Sequence, residues 1–173
     1  MPRKKKFNTG IFIGRFQPFH KGHLHAIAYA SRLCERLIIG VGSSQVSSTP
    51  KNPLTASARI RIMSAGIGKR LISEGKISFM KIPDFGDDDA WFEYIKDKEP
   101  GIKVVFSRNR LVKSIFKRRG IMVVSPDWYR RDKLSATVIR KLMGNGAAWR
   151  QRVPEGSAKE IEKEKSKILR SLH

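Results

Sequence analysis

Two short apolar runs, Ile11-Phe12-Ile13 and Leu37-Ile38-Ile39-Gly40-Val41, bracket a segment whose apolar residues return at Leu24, Ile27, Ala28 and Leu33, the spacing of a helix. A strand that is apolar at consecutive positions has no polar face to turn to water, so it belongs in a parallel sheet covered on both sides. Two such strands joined by a helix make a right-handed crossover. The alternation continues downstream. Ile77 to Pro83 reads as a third strand, with Asp87-Asp88-Asp89 capping a short helix that carries Trp91, Phe92 and Ile95. Lys103 to Phe106 reads as a fourth strand, Leu111 to Arg119 as a helix with Val112, Ile115 and Phe116 inward, and Ile121 to Val124 as a fifth strand. The pattern predicts an α/β fold, a Rossmann-like doubly wound parallel sheet of about five strands with C-terminal helices.

Thr55 is placed to cap a helix carrying Ile60, Met63 and Ile67, and Ser135-Ala136-Thr137 opens another through Val138, Ile139, Leu142 and Met143. Trp149 to His173 has charged i, i+4 pairs and few apolar residues, so it reads as a terminal surface helix. The length of 173 residues fits one domain. The expected division is a basic flexible arm over 1–9, the main domain over 10–150, and a helical extension of it over 151–173.

Thirty-six Lys and Arg against 15 Asp and Glu give a formal charge of +21, which implies polyanionic partners without choosing between nucleotides, nucleic acid and lipid headgroups. Arg3, Lys4, Lys5 and Lys6 read as a solvated arm able to touch RNA, a role the charge alone does not favour. Cys34 is the sole cysteine, so no intrachain disulfide can form; its place in the first helix reads as a buried thiol in a reducing, cytoplasmic setting. No apolar run approaches the ~18 residues of a membrane span, and the basic start is not followed by a signal-peptide core. The expectation is a soluble protein with no membrane partner.

The chemistry concentrates in Gly14-Arg15-Phe16-Gln17-Pro18-Phe19-His20-Lys21-Gly22-His23. Gly14 and Pro18 end the first strand, and the helix begins near Gly22. His20 and His23, three apart at that helix start, lie on one face beside free backbone N–H groups and the positive end of the macrodipole. An anion fits there: Gly22 lets a phosphate approach the backbone, both imidazoles donate to its oxygens, and Arg15 adds charge. Two histidines at this spacing would by themselves be an ordinary helix start; Gly14, Arg15, Pro18 and Gly22 in register favour the phosphate reading. A zinc site lacks further ligands nearby. Ser43, Ser44, Gln45, Lys51 and Arg59 follow the second strand, where open α/β sheets bind ligands. Ser135 and Thr137, with Arg140 one turn further, mark a second helix N-terminus; an ordinary cap is an equal reading of that pattern.

This motif resembles the signature of the HxGH nucleotidyltransferase superfamily, in the form found in archaeal-type nicotinamide mononucleotide adenylyltransferases. The resemblance extends to Gly42-Ser43, Pro53-Leu54-Thr55-Ala56 with Arg59, Asp84 with Trp91, Ser107-Arg108-Asn109, and Ser135-Ala136-Thr137-Val138-Ile139-Arg140. Ala136 stands where glycine is usual, Lys51 where arginine is, Asp88 where asparagine is, and Arg108 where glycine is. The resemblance implies strand order 3-2-1-4-5 and transfer of AMP from ATP to nicotinamide mononucleotide, forming NAD and pyrophosphate. It implies ATP binding by Gly14, Arg15, Phe16, His20, Gly22, His23, Ser135, Thr137 and Arg140, with His20, His23, Arg15, Lys51 and Arg140 catalytic. The acceptor falls to Ser43, Asp84, Asp88, Trp91 and Asn109. Mg²⁺ is expected with the triphosphate rather than on protein ligands, and a homo-oligomer is in keeping with the family. The nicotinamide ring is cationic, so the Trp91 indole can attract it by cation–π contact, although Trp91 also reads as the first core residue of its helix. Two alternatives stay open: another acceptor, phosphopantetheine or flavin mononucleotide, and a nucleic-acid-binding protein on the same fold.

Overall fold

The computed structural model describes residues 5–127, 129–130 and 132–171; Arg3 and Lys4 of the basic arm and Trp128 lie outside the described residues. The elements run β1 (Phe7–Gly14), α1 (Lys21–Leu33), β2 (Cys34–Val41), α2 (Ala56–Ile67), α3 (Lys69–Ser73), β3 (Ile77–Lys81) and α4 (Asp88–Lys98). They continue with β4 (Val104–Phe106), α5 (Arg110–Arg118), β5 (Met122–Val124), α6 (Ala136–Gly144), a 3₁₀ turn (Trp149–Arg152) and α7 (Glu155–Arg170). The five strands are parallel in the order β3-β2-β1-β4-β5, with Ile11 opposite both Ile38 and Val105. This is the doubly wound, Rossmann-like sheet that the alternation implies.

The continuous apolar strands are explained by a core on each face. Ile11, Ile38 and Val105 point to one side, where they meet Phe92, Ile95, Val112, Ile115 and Phe116 of α4 and α5. Their neighbours Phe12, Leu37, Ile39, Val104 and Phe106 point to the other, against Ile27 of α1, Ile62 and Met63 of α2, and Ile139 of α6. Each fully buried side chain of this size contributes about 1.5–3 kcal/mol.

Four features differ from the sequence reading. β1 starts at Phe7, paired with Cys34, inside the segment expected to be a flexible arm; Lys5 Nζ donates to the Ser31 carbonyl at 2.6 Å and Lys6 N–H to the Leu33 carbonyl at 2.9 Å. Cys34 is buried as expected, but as the first residue of β2 rather than within the helix, because α1 passes into β2 without a loop. The C-terminal segment is more than a surface helix. Ser157, Ile161, Glu164 and Ile168 repeat at helical spacing on one buried face of α7, and Trp149 before it is buried too. That face packs on α2. Ser157 Oγ donates to the Ile62 carbonyl at 2.8 Å, and a Cβ at Gly156 would collide with the Ala65 carbonyl, so glycine sets how closely the two helices approach. The short α3 has no counterpart in the sequence pattern. No helix among the described residues is long and apolar enough to cross a membrane.

Candidate active site

A cleft of about 890 Å³ opens at the C-terminal ends of the strands, where the switch between β1 and β4 places ligands in sheets of this kind. Gly14, Arg15 and Phe16 line it from the end of β1, and His20, Gly22 and His23 from the start of α1. Ser43 and Lys51 come from the loop after β2, Asp84 from that after β3, Asp88 and Trp91 from the first turn of α4, and Asn109 from the loop after β4. Ser135, Thr137 and Arg140 close it from α6. Every residue singled out for ATP or acceptor therefore lies on one cavity; Ser44, Gln45 and Arg59 do not line it.

The histidines adopt a specific arrangement. His20 is the N-cap of α1, its Nδ1 accepting the His23 backbone N–H at 3.3 Å, so its proton belongs on Nε2. The two rings stack at 3.6 Å, Phe19 stacks beyond His23 at 5.9 Å, and Phe16 meets His23 edge-on at 4.9 Å. Phe16, only 1% exposed, thus shapes the cavity by holding His23. A Cβ on Gly22 would sit 3.0 Å from the His20 ring, so this glycine first makes room for the imidazole. Burial pushes His20 down to about 4; burial, and then the neighbouring His20, hold His23 well below the usual range. Both rings are therefore neutral at pH 7. His23 Nδ1 is buried without a hydrogen-bond partner.

Cations converge on the same space. Arg140 Nη1 donates to the Gln17 carbonyl at 2.7 Å, its Nε is buried and unpartnered, and burial followed by the charge of Arg15 lowers its pKa. Guanidinium groups held within range of one another against their mutual repulsion favour a polyanion between them. Among the described residues no three His, Cys, Asp or Glu side chains gather into a metal-holding group.

On the opposite side, Gln45 pins Asp84 through both backbone groups, accepting its N–H at 3.2 Å and donating to its carbonyl at 3.4 Å. Asp88 begins α4, capped by Asp87, and faces Arg118 at 3.5 Å. Trp91 is half-buried, edge-on to Phe116 at 6.1 Å, so one part of the indole belongs to the core and another to the cleft. Asn109 Oδ1 caps α5, accepting the N–H groups of Leu111 and Val112, which leaves its amide NH₂ for a ligand. Ser135 Oγ accepts the Val138 N–H at 3.2 Å, the ordinary cap.

Sequence reasoning missed two supports. Gln17, 2% exposed, exchanges two 3.0 Å hydrogen bonds with the Leu54 main chain, joining the histidine loop to the loop before α2. Its place inside the motif was the available signal. Tyr129, 42% exposed at the cleft, stacks on His25 at 4.6 Å, a long-range pair with no local signature.

Residues 11–142 match the cytidylyltransferase-like family. The chain is 39% identical over 153 residues to a nicotinamide-nucleotide adenylyltransferase of Thermococcus sibiricus, covering 88% of this chain and 82% of the relative. It is 38% identical over 154 residues to one from Methanothrix thermoacetophila, covering 88% of each. A crystal structure of a bifunctional NMN adenylyltransferase/ADP ribose pyrophosphatase from Francisella tularensis, complexed with AMP and a Mn ion, superposes with a TM-score of 0.71 at 22% identity. That match covers 94% of this chain and about half, 52%, of the bifunctional one, and speaks to the fold.

Proposed function

The chain belongs to the nicotinamide-nucleotide adenylyltransferase family, and from that membership we propose how its cleft performs the family reaction, transfer of the adenylyl group of ATP to nicotinamide mononucleotide. An oxygen of the mononucleotide phosphate attacks the α-phosphorus of ATP, a new P–O bond forms, and the bond to the bridging oxygen breaks, giving NAD and pyrophosphate. The attacking phosphate, with a second pKa of about 6, is already ionised at neutral pH and needs no general base. Catalysis is then positioning and charge neutralisation.

His20 and His23 donate to the ATP phosphates from the N-terminus of α1, with Arg15 and Lys51 adding positive charge. Thr137 and Arg140 receive the departing pyrophosphate at α6, whose first turn the Ser135 cap holds in place. Asp84, Asp88, Trp91, Asn109 and Ser43 face the acceptor, with the indole against the cationic nicotinamide ring. The observation that carries this assignment is the Arg140–Gln17 hydrogen bond, which locks the start of α6 to the histidine loop so that two helix N-termini address one polyanion. The phosphate side of the cleft offers cations and hydroxyls, which suits a Mg²⁺ carried by the triphosphate and water. When bound, that ion screens the triphosphate charge. The buried, free Cys34 accords with a reducing cytoplasm.

The decisive assay supplies MgATP with nicotinamide mononucleotide, phosphopantetheine or flavin mononucleotide and follows pyrophosphate. Turnover is expected with the first; faster turnover with either of the others would overturn the acceptor assignment while leaving the transfer chemistry in place.

A further inference from the structure

We infer that Arg59 is a positioning residue for adenylyl transfer, a buried clamp that fixes the phosphate-side end of β1 relative to the acceptor-side end of β2. The inference rests on the reading just given, in which Arg15 serves ATP and Ser43 serves the acceptor. Arg59 is 0% exposed and does not line the cleft. From α2 its Nη1 donates to the carbonyls of Arg15 at 2.9 Å and Gly42 at 2.7 Å, and its Nη2 to that of Ser43 at 3.0 Å. Its Nε donates to the Thr55 carbonyl at 3.3 Å. Four of the five guanidinium N–H groups are thus spent on main-chain oxygens, three of them at the two strand ends.

Those ends need holding. The β1–β2 register closes at Gly14 opposite Val41, with Gly42 N–H bonded to the Gly14 carbonyl at 2.9 Å. Immediately beyond it Phe16 and Ser43 adopt φ of 53° and 48°, a left-handed backbone that non-glycine residues keep only where the surroundings impose it. Arg59 grips the carbonyls next to and within these two turns. Only a planar fork reaches carbonyls from several directions at once; a lysine offers its donors from a single point. Burial lowers Arg59 to about 10, which leaves it charged at neutral pH, and the Asp84 carboxylate opposes that shift.

In-line attack requires the reacting atoms within about 3–3.5 Å, and a misplacement of about 1 Å costs about 10²-fold in rate. Slackening the clamp changes the distance between two sites that each remain intact. Arg59→Met and Arg59→Lys are therefore compared with wild type below the melting temperature of each, with kcat per folded molecule set beside calorimetric Kd values for ATP alone and nicotinamide mononucleotide alone. The expected result is a kcat loss of about 10²-fold in Arg59→Met and about 10-fold or more in Arg59→Lys, with each separate Kd within about 3-fold. Wild-type kcat in folded variants that only melt earlier would make Arg59 a structural residue and overturn the inference. So would a loss of one substrate's affinity that matches the rate loss. If Arg59→Met does not fold, Arg59→Lys, which keeps the charge, decides by the same criteria. Failure of the underlying functional reading looks different: wild type itself would not release pyrophosphate with the mononucleotide.

Discussion

Two of the helix N-termini that face the cleft, those of α1 and α6, are capped by different kinds of side chain. At α1 the cap is an imidazole, His20 Nδ1, and the same ring lines the cleft; at α6 the cap is the Ser135 hydroxyl, and the charge comes separately from Arg140. Each cap satisfies one orphan N–H and leaves others for an anion. In α1 the cap and the wall of the cleft share one side chain. In α6 the cap and the charge are divided between two. The lesson is that a helix start signals function most clearly where its cap is a group that ordinary capping would not select.

The strongest way to break the comparison is to keep the α1 cap and delete the ring. His20→Asn, a good cap residue, is expected to lower kcat by about 10²–10³ with His23→Ala doing the same, as loss of one preorganised donor does. Melting of His20→Asn should stay close to wild type; wild-type-like turnover in both variants would reduce α1 to the status of a capped helix.

Acid should separate the two ends next. The folded His20 and His23 are held below the ordinary 6.5, so from pH 6.5 downward the unfolded chain binds more protons than the folded one, and stability falls as pH drops. For His20 the loss proceeds toward pH 4 and totals about 3 kcal/mol. Urea melts at pH 7 and 4.5 should show a smaller drop in His20→Asn; an equal drop would place the titrating group elsewhere.

A more modest effect is expected at Trp91→Ala. A KM for nicotinamide mononucleotide raised about 2–30-fold, with that for ATP little changed, corresponds to a lost cation–π contact of about 0.5–2 kcal/mol. A lower melting temperature alone would assign the indole to its packing on Phe116. Smallest of all, Ser135→Ala should cost about 1 kcal/mol of stability and change kcat by less than about 3-fold, the signature of a hydroxyl already spent on its own helix. A larger rate loss would give α6 the same double use of one side chain seen at α1.

Much of this was legible in the sequence because it is local. Consecutive apolar residues in Ile11–Ile13 and Leu37–Val41 demand two covered faces, and the spacing of His20, Gly22 and His23 fixes a helix start. What escaped depends on direction. Arg59 beside a polar loop looks like a ligand group, yet the docking of α2 turns it inward to the main chain of Arg15, Gly42 and Ser43. Ile161 and Ile168 stand among lysines and glutamates, so the face they share with Ser157 and Glu164 is visible only once α2 is there to cover it. The junction at Cys34 escaped because apolar spacing runs on from Leu33 with no turn residue between.

The packing of α7 on α2 has a consequence for how the molecule comes into being. A ribosome releases residues in chain order, and every cleft-lining residue, through Arg140, emerges before Glu155 begins α7. A nascent chain can therefore assemble its sheet and its histidine pair while α2 still lacks Ile161, Ile168 and the Arg61 pairs to Glu160 and Glu164. Burial of the helix that grips the two strand ends is therefore completed by an element that follows every cleft-lining residue in the chain, so the packing of the core closes after the parts of the cleft have been synthesised.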